Sequence, residues 1–363
     1  MARIALVCEP PDGGVAEHVL RLVRGLPAHG HEPVLYAPAE FVHAAALRAE
    51  GFEVRTLPFR RDYAHPHEDA RSLGQLVRAL RGADLVHSHS AKSGVIGRLA
   101  AKLKRLPSVY TPHGFPFVGE MSEARRRFGV VAERALAPIT DTIVCVCEFE
   151  RDLARATGLR ARLAVVHNGC PLCPGTPVAP ELEGLDGPLI GAVSTLRRAK
   201  RIDVLLDALP RVFAAVPEAR AVIAGEGPEE AALHAQAERL GLGGRVTWLP
   251  FVAPAARYLR ALDVYVLSSS WEAFPIGPLE AQACGVPQVV SAVGGTPESV
   301  VPETGILVPP REPGPLADAL IELLRDPERR AAMGEASRRR HAERFTVEQM
   351  VAGTAAVYAG LLT

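Results

Sequence analysis

The chain has 363 residues, 48% of them hydrophobic, and its 41 Lys and Arg balance 41 Asp and Glu. That length predicts two domains rather than one, and the zero formal charge excludes a global field drawing the chain to nucleic acid or an anionic bilayer. No apolar run reaches the 18 residues of a membrane span, and the run within MARIALVCEPPDGG is too short for the core of a secretory signal, so the expectation is a soluble cytoplasmic protein.

Short apolar runs alternate with helix-period segments, the pattern of parallel α/β sheets. Strands are expected at 4–8, 34–37, 54–57, 85–87, 108–111, 143–146 and 163–166, then at 189–193, 221–224, 246–249, 264–267, 288–291 and 306–308. Each series is long enough for one Rossmann-like domain. The expected division is residues 1–170, a Pro/Gly-rich linker at 171–188, a second domain at 189–340 and a helical tail at 341–363.

The first strand runs into Pro10-Pro11-Asp12-Gly13-Gly14 and a helix. Glycine there lets backbone approach a ligand and turns helix amides toward an anion, although a plain turn is the commoner reading of Gly-Gly alone and the pattern is not G-x-G-x-x-G. His87 and His89 alternate along a strand end, so they share a face; with no third ligand evident, no metal site is assigned. Strand 108–111 ends in Pro112-His113-Gly114, which puts a histidine at the carboxyl edge where such sheets bind ligands. In the following helix Ala124, Phe128, Val131 and Ala135 fall at helical spacing, with Arg125, Arg126 and Arg127 on the other side. These arginines read as a solvated face or as a contact for anionic lipid. Cys170 and Cys173 form a C-x2-C, but a zinc site needs a second pair or a histidine at suitable spacing, so all six cysteines are expected as reduced thiols.

In the second half, Arg197, Arg198, Lys200 and Arg201 precede a helix, where cations oppose the dipole unless an anion sits among them. Ala224-Gly225-Glu226-Gly227-Pro228 reads as a turn. The stretch from Ser268 to Glu298 then carries Glu272 and Glu280, eight positions apart, around a Phe-Pro-Ile-Gly-Pro turn. Pro278 is expected as the first helical residue and Glu280 in the first turn. Free amides at such a helix start suit a phosphate, and the flanking acids suit hydroxyls. A sugar nucleotide offers both.

The segment E-A-F-P-I-G-P-L-E at 272–280, with A-C-G-V-P-Q-V-V-S and G-G-T-P-E after it, resembles the E-x7-E signature of retaining glycosyltransferase family 4. The likeness extends to GG-x3-H-V-x2-L from Gly13, to T-x-H-G at 111–114, and to H-x-H-S-x-K-x-G-x-x-G-R from His87, the last as in members that build bacterial surface polysaccharides. It implies the GT-B fold: two Rossmann-like parallel-sheet domains facing each other across a cleft, with the C-terminal helix returning to the first. It also implies a metal-independent retaining hexosyltransferase without cofactor. Such an enzyme moves a sugar from a nucleotide-diphosphate donor, a UDP-sugar ahead of a GDP-sugar, to a hydroxyl acceptor on a glycan or lipid-linked glycan of the cell envelope. The absence of any D-x-D agrees with a metal-free site.

By that resemblance His113, Lys200 and Glu272 are catalytic. Gly13, Gly14, Arg197, Arg198, Gly225, Gly227, Phe274, Pro275, Ile276, Gly277, Glu280 and Glu298 bind the donor, and His87, His89 and Lys92 lie on the acceptor side. Lys200 matches the lysine of the family's R-L-x3-K-G loop. The arginine of that loop falls on Thr195, and Arg201 replaces its glycine, so either Arg197 or Arg198 supplies the second cation or the phosphate clamp is weaker here. Peripheral contact with the inner membrane face would go through Arg125, Arg126 and Arg127, and no nucleic-acid partner is expected. A sugar-nucleotide epimerase or hydrolase of the same fold, or a non-catalytic sugar-nucleotide binder, are the alternatives.

Overall fold

The computed structural model describes residues 1–59, 66–173, 175, 177–251 and 253–362. They form two compact units, Met1–Gly169 with Val347–Thr363, and Cys170–Thr346.

Among the described residues, the first unit has a parallel sheet of seven strands, β1 (Ala2–Cys8), β2 (His31–Ala37), β3 (Glu53–Thr56), β4 (Leu85–His89), β5 (Ser108–Thr111), β6 (Thr142–Cys145) and β7 (Arg162–Val165), in the order β3-β2-β1-β4-β5-β6-β7. The second has six, β8 (Leu189–Val193), β9 (Arg220–Ala224), β10 (Val246–Leu249), β11 (Val264–Leu267), β12 (Gln288–Ser291) and β13 (Gly305–Val308), in the order β10-β9-β8-β11-β12-β13. Every expected strand forms. Several begin earlier than their apolar runs, because polar residues such as Arg3 and Glu32 also join the parallel ladder.

Side chains alternate across a strand, and that alternation builds two core layers per sheet. In β1, Ile4, Leu6 and Cys8 enter one layer with the Gly13–Gly25 helix, while Ala5 and Val7 enter the other with Leu76 and Ile96. In β11, Val264 and Val266 face the Ile202–Ala215 helix side, and Tyr265 and Leu267 face the opposite layer with Tyr258 and Val286. Strands buried on both faces are apolar at most positions, which is why they read as near-continuous runs, and β4 departs from this with His87, Ser88 and His89 buried. Ala179 and Leu182, within the stretch expected as linker, are buried in the second unit beside Leu189.

The chain's last helix, Val347–Ala359, packs in the first unit through Met350, Val351, Ala355 and Tyr358. Gly25 makes the approach possible, since a Cβ there would overlap Val351. Each large apolar side chain buried in this way contributes up to about 1.5–3 kcal/mol.

The strand orders fix where ligands go. In each sheet the order reverses between two adjacent strands, β1 and β4 in the first and β8 and β11 in the second, and open α/β sheets bind ligands beyond the carboxyl ends at that switch point. Gly13 follows β1 and His89 ends β4, and Lys200 and Glu272 follow β8 and β11.

One expectation on cysteines is corrected. Cys173 and Cys284 are joined in a disulfide with Cα atoms 4.9 Å apart, and Cys8, Cys145, Cys147 and Cys170, all buried, are in no disulfide. A separation of 111 residues hides that pairing from any spacing rule.

Candidate active site

In the second unit two loops are stitched together. The short helix Arg198–Lys200 follows β8, and the stretch 268–272 follows β11. Ser270 donates its N–H to the Ala199 carbonyl at 2.8 Å, and the Ser268 hydroxyl donates to the Lys200 carbonyl at 3.0 Å. These bonds bring Lys200 Nζ to 2.6 Å from Glu272 Oε1, and the Ser269 hydroxyl donates to the same oxygen at 2.7 Å. The pair is only part-buried, with side-chain exposures of 25% and 12%, so an incoming ligand can reach both charges.

The Ile276–Cys284 helix follows, capped by Pro275 in extended backbone. It begins two residues before the expected Pro278, because Pro275, which has no N–H to leave unpaired, already ends the strand exit. Glu280 therefore lies past the first turn. Pro278 supplies no N–H either, so Ile276 and Gly277 carry the first-turn amides. Gly277 is required by its neighbour, since a Cβ there would overlap the Tyr265 hydroxyl. Burial, then the charges of Glu272 and Glu280, push the Tyr265 phenol far above its ordinary pKa and keep it neutral.

Gly294, with φ of +52°, approaches the same loop: a Cβ would overlap the Glu272 carbonyl, and Gly295 N–H donates to Ala273 at 2.8 Å. Glu298 is half-buried in the short Thr296–Ser299 helix, and its carbonyl accepts from Arg340 at 2.7 Å. Gly225 and Gly227 pack on the backbone of Ser194 and Leu196, where side chains would collide with carbonyl oxygens.

The cation cluster divides. Arg201 turns its guanidinium onto Asp203 at 2.9 and 2.8 Å, which answers part of the helix-dipole conflict internally. Arg197 and Arg198 are exposed and line a cavity of about 200 Å³ with Arg201, Asp203 and Glu229.

In the first unit Gly13, φ +75°, opens the Gly13–Gly25 helix with Gly14 beside it. His113, φ +52°, follows β5. Its loop is held by buried Glu150, whose carboxylate accepts from the N–H groups of Gly114 at 2.7 Å and Val146 at 2.8 Å. His113 Nε2 lies 3.1 Å from His89 Nδ1, and the His18 ring packs edge-on to His113 with centroids 4.6 Å apart. Burial holds His113 and His89 well below the ordinary histidine pKa, with neighbouring imidazoles adding to it. Burial likewise pushes His18 down to about 4 against the opposing hydrogen bond from Asn168. The cluster is neutral at pH 7.

Two of the acceptor-side candidates are buried. His87 is fully buried and spends both ring nitrogens, on the Tyr358 hydroxyl at 2.6 Å and on Thr111 Oγ1 at 2.8 Å, so it presents none to a ligand. Lys92 is 6% exposed and paired with Asp69 at 2.8 Å. Arg98 of the same motif is buried against Glu133. The apolar stripe of the Glu123–Leu136 helix is also reversed: Phe128 and Val131 are exposed, while Gly129 and Glu133 face inward. Sequence reasoning missed His18 and Glu150. The histidine of the quoted GG-x3-H pattern was the available signal for the first; nothing marked the second.

Two Rossmann-like sheets with the last helix seated on the first, and a lysine–glutamate pair at the second sheet's switch point, define a GT-B protein. The family model described as glycosyl transferases group 1 matches residues 179–340, and that of the glycosyl transferase 4-like domain matches residues 13–169. The D-inositol 3-phosphate glycosyltransferase of Segniliparus rotundus is 34% identical over 77% of this chain, a match spanning 66% of that protein's length. The protein of the same name from Xylanimonas cellulosilytica is 32% identical over 96% of this chain and 91% of its own. Anabaena HepE, crystallised with UDP and glucose, has the same fold with a TM-score of 0.86, at 22% identity over 99% of this chain and 100% of that one. The chain belongs to glycosyltransferase family 4.

Proposed function

We propose that the protein is a metal-independent retaining glycosyltransferase that moves a sugar from a nucleotide-diphosphate donor to a hydroxyl acceptor. The observation that carries this reading is the Lys200–Glu272 pair at 2.6 Å beside the Ile276 and Gly277 amides. Cation and amides suit a departing pyrophosphate, and the carboxylate suits sugar hydroxyls once the lysine turns to the phosphate. The bond from the anomeric carbon to the phosphate oxygen breaks, and the leaving pyrophosphate keeps the electron pair. Fixed donors take up its charge without reorganisation. The acceptor oxygen bonds to the same carbon, and its proton goes to the leaving phosphate. His113 meets the donor sugar as a neutral imidazole. Glu280 binds the ribose, and Glu298 supports the loop.

A UDP-sugar is favoured as donor, in keeping with the UDP bound to Anabaena HepE. For the acceptor, the exposed Phe128 and Val131 beside exposed Arg125 and Arg127 favour a glycan carried at an anionic membrane face. Among the described residues no helix is long and apolar enough to cross a membrane, so such contact would be peripheral. An inositol phosphate is the second reading, supported by the names of the relatives.

The test is product analysis. UDP-sugars incubated with each acceptor in the presence of a chelator should yield UDP and one glycoside that keeps the donor's anomeric configuration. Free sugar or an epimer formed without acceptor would overturn the transferase reading. Co-sedimentation with vesicles that does not depend on anionic lipid would end the membrane-side reading alone.

A further inference from the structure

His89, too, is fully buried at the end of β4, so whatever it contributes to a ligand passes through a neighbour. Its ring is held in place. His87 packs against it with centroids 4.0 Å apart, and His87 is itself pinned by Tyr358 and Thr111. His89 Nδ1 then meets His113 Nε2 at 3.1 Å. His113 is the partly exposed member of the pair, and its φ of +52° is a costly conformation for a side chain with a Cβ, kept only where the surroundings impose it.

Burial keeps both imidazoles neutral, and a neutral imidazole carries one hydrogen and one lone pair. One hydrogen therefore lies between the two nitrogens, and it belongs to one ring or the other. If His113 donates it, His89 accepts at Nδ1 and carries its own hydrogen on Nε2. That N–H would be buried without an acceptor, because among the described residues His89 Nε2 has no hydrogen-bond partner. If His89 donates from Nδ1, its Nε2 keeps only a lone pair, and His113 carries its hydrogen on Nδ1. Orphaned N–H groups are rarer in protein interiors than under-used acceptors, which selects the second arrangement.

We propose that His89 is a positioning residue: by donating to His113 Nε2 it fixes the tautomer in which His113 presents an Nδ1–H to a hydroxyl of the donor sugar. A neutral donor holds that hydroxyl without setting a positive charge beside the anomeric carbon, which becomes electron-poor as pyrophosphate leaves. The contact with the sugar rests on the transferase reading; the tautomer does not.

The tautomer is read by long-range ¹H–¹⁵N correlation on full-length protein labelled with ¹⁵N-histidine, with His113→Asn assigning the His113 signals. Hydrogen on Nδ1 and a bare Nε2 are expected in the wild type and in His89→Asn, whose amide N–H stands in for the Nδ1–H. His89→Phe keeps a ring against His87 but donates nothing, so His113 should there populate both tautomers. With UDP-glucose and other UDP-hexoses, kcat/KM for UDP release should fall about three- to tenfold in His89→Phe and less in His89→Asn. The two variants cross packing with donation, so a role in packing alone would make His89→Phe the milder one. The Kd for UDP, which has no sugar, should stay within about twofold in both. Hydrogen on His113 Nε2 in the wild type, or His89→Phe at least as active as His89→Asn, overturns the proposal. If no UDP-sugar is turned over, the transferase reading fails and the wild-type tautomer alone decides the role of His89, as it does if His89→Phe proves unfolded by near-UV circular dichroism.

Discussion

Lys200→Met removes the charge on which the proposed chemistry turns. The lysine holds Glu272 at 2.6 Å, yet the Ser269 hydroxyl donates to the same oxygen, so the carboxylate keeps a partner after substitution. With a quarter of the lysine side chain exposed, the stability cost is about 1 kcal/mol or less. The functional cost is larger. A hydrogen bond to a charged group contributes about 1.5–3 kcal/mol, which corresponds to a roughly 10- to 150-fold fall in kcat/KM. If the contact strengthens as pyrophosphate departs, the loss lies in kcat; if it is equally strong in the bound donor, it lies in KM. Lys200→Arg keeps the charge and should recover part of the loss. Initial rates of UDP release, with thermal melts as the fold control, make the measurement. A folded Lys200→Met enzyme within about twofold of wild-type kcat/KM would refute the assignment.

The Arg98 guanidinium is fully buried, paired with Glu133 at 2.7 and 3.0 Å and lying 4.0 Å over the Tyr110 ring. Glu133→Ala leaves that cation uncompensated and should cost about 3–5 kcal/mol in urea unfolding, whereas Arg98→Met with Glu133→Leu should recover most of it; a single-variant cost below about 1 kcal/mol contradicts the burial. Alkylation in denaturant without reductant should label four cysteines by intact mass, and six after reduction; six labelled without reductant would exclude the disulfide. Acid should destabilise the chelator-treated protein. The buried His18, with a pKa of about 4, stays neutral while the unfolded chain takes up a proton near 6.5. Its contribution is therefore intact above about pH 6.5 and lost as pH falls toward 4, at about 2 kcal/mol by pH 5. The urea midpoint should drop between pH 7.5 and 5, less steeply in His18→Phe; an unchanged midpoint would count against the neutral cluster.

The sheets were legible because doubly covered parallel strands are apolar at nearly every position, as the runs 4–8, 189–193 and 264–267 are. Their order then carried the candidate residues to the two switch points. What sequence left unread depends on contacts between distant segments. His18 reads as one of several polar residues of the Gly13–Gly25 helix, and only the fold sets it against His89 and His113. His87 looked like a ligand-facing residue until Tyr358, 271 positions away, claimed its Nδ1. The start of the Ile276–Cys284 helix was misread because Pro278, suited to the first helical position, stands at the third, while Pro275 takes the cap and Ile276 comes first. Phe128 and Val131 face outward because Glu133 turns in to pair with Arg98, a choice that helical periodicity does not encode.

The helix that completes the first unit's core leaves the ribosome only after the whole second unit. At synthesis rates of about 5–20 residues per second, residues 170–346 take roughly 10–35 s to emerge. During that interval Leu22, Val23 and Leu26 lack their final cover, and His87 lacks the phenol that satisfies it. The nascent amino-terminal half thus keeps that apolar surface uncovered until the helix emerges, and a stop codon after Thr346 would leave it uncovered permanently.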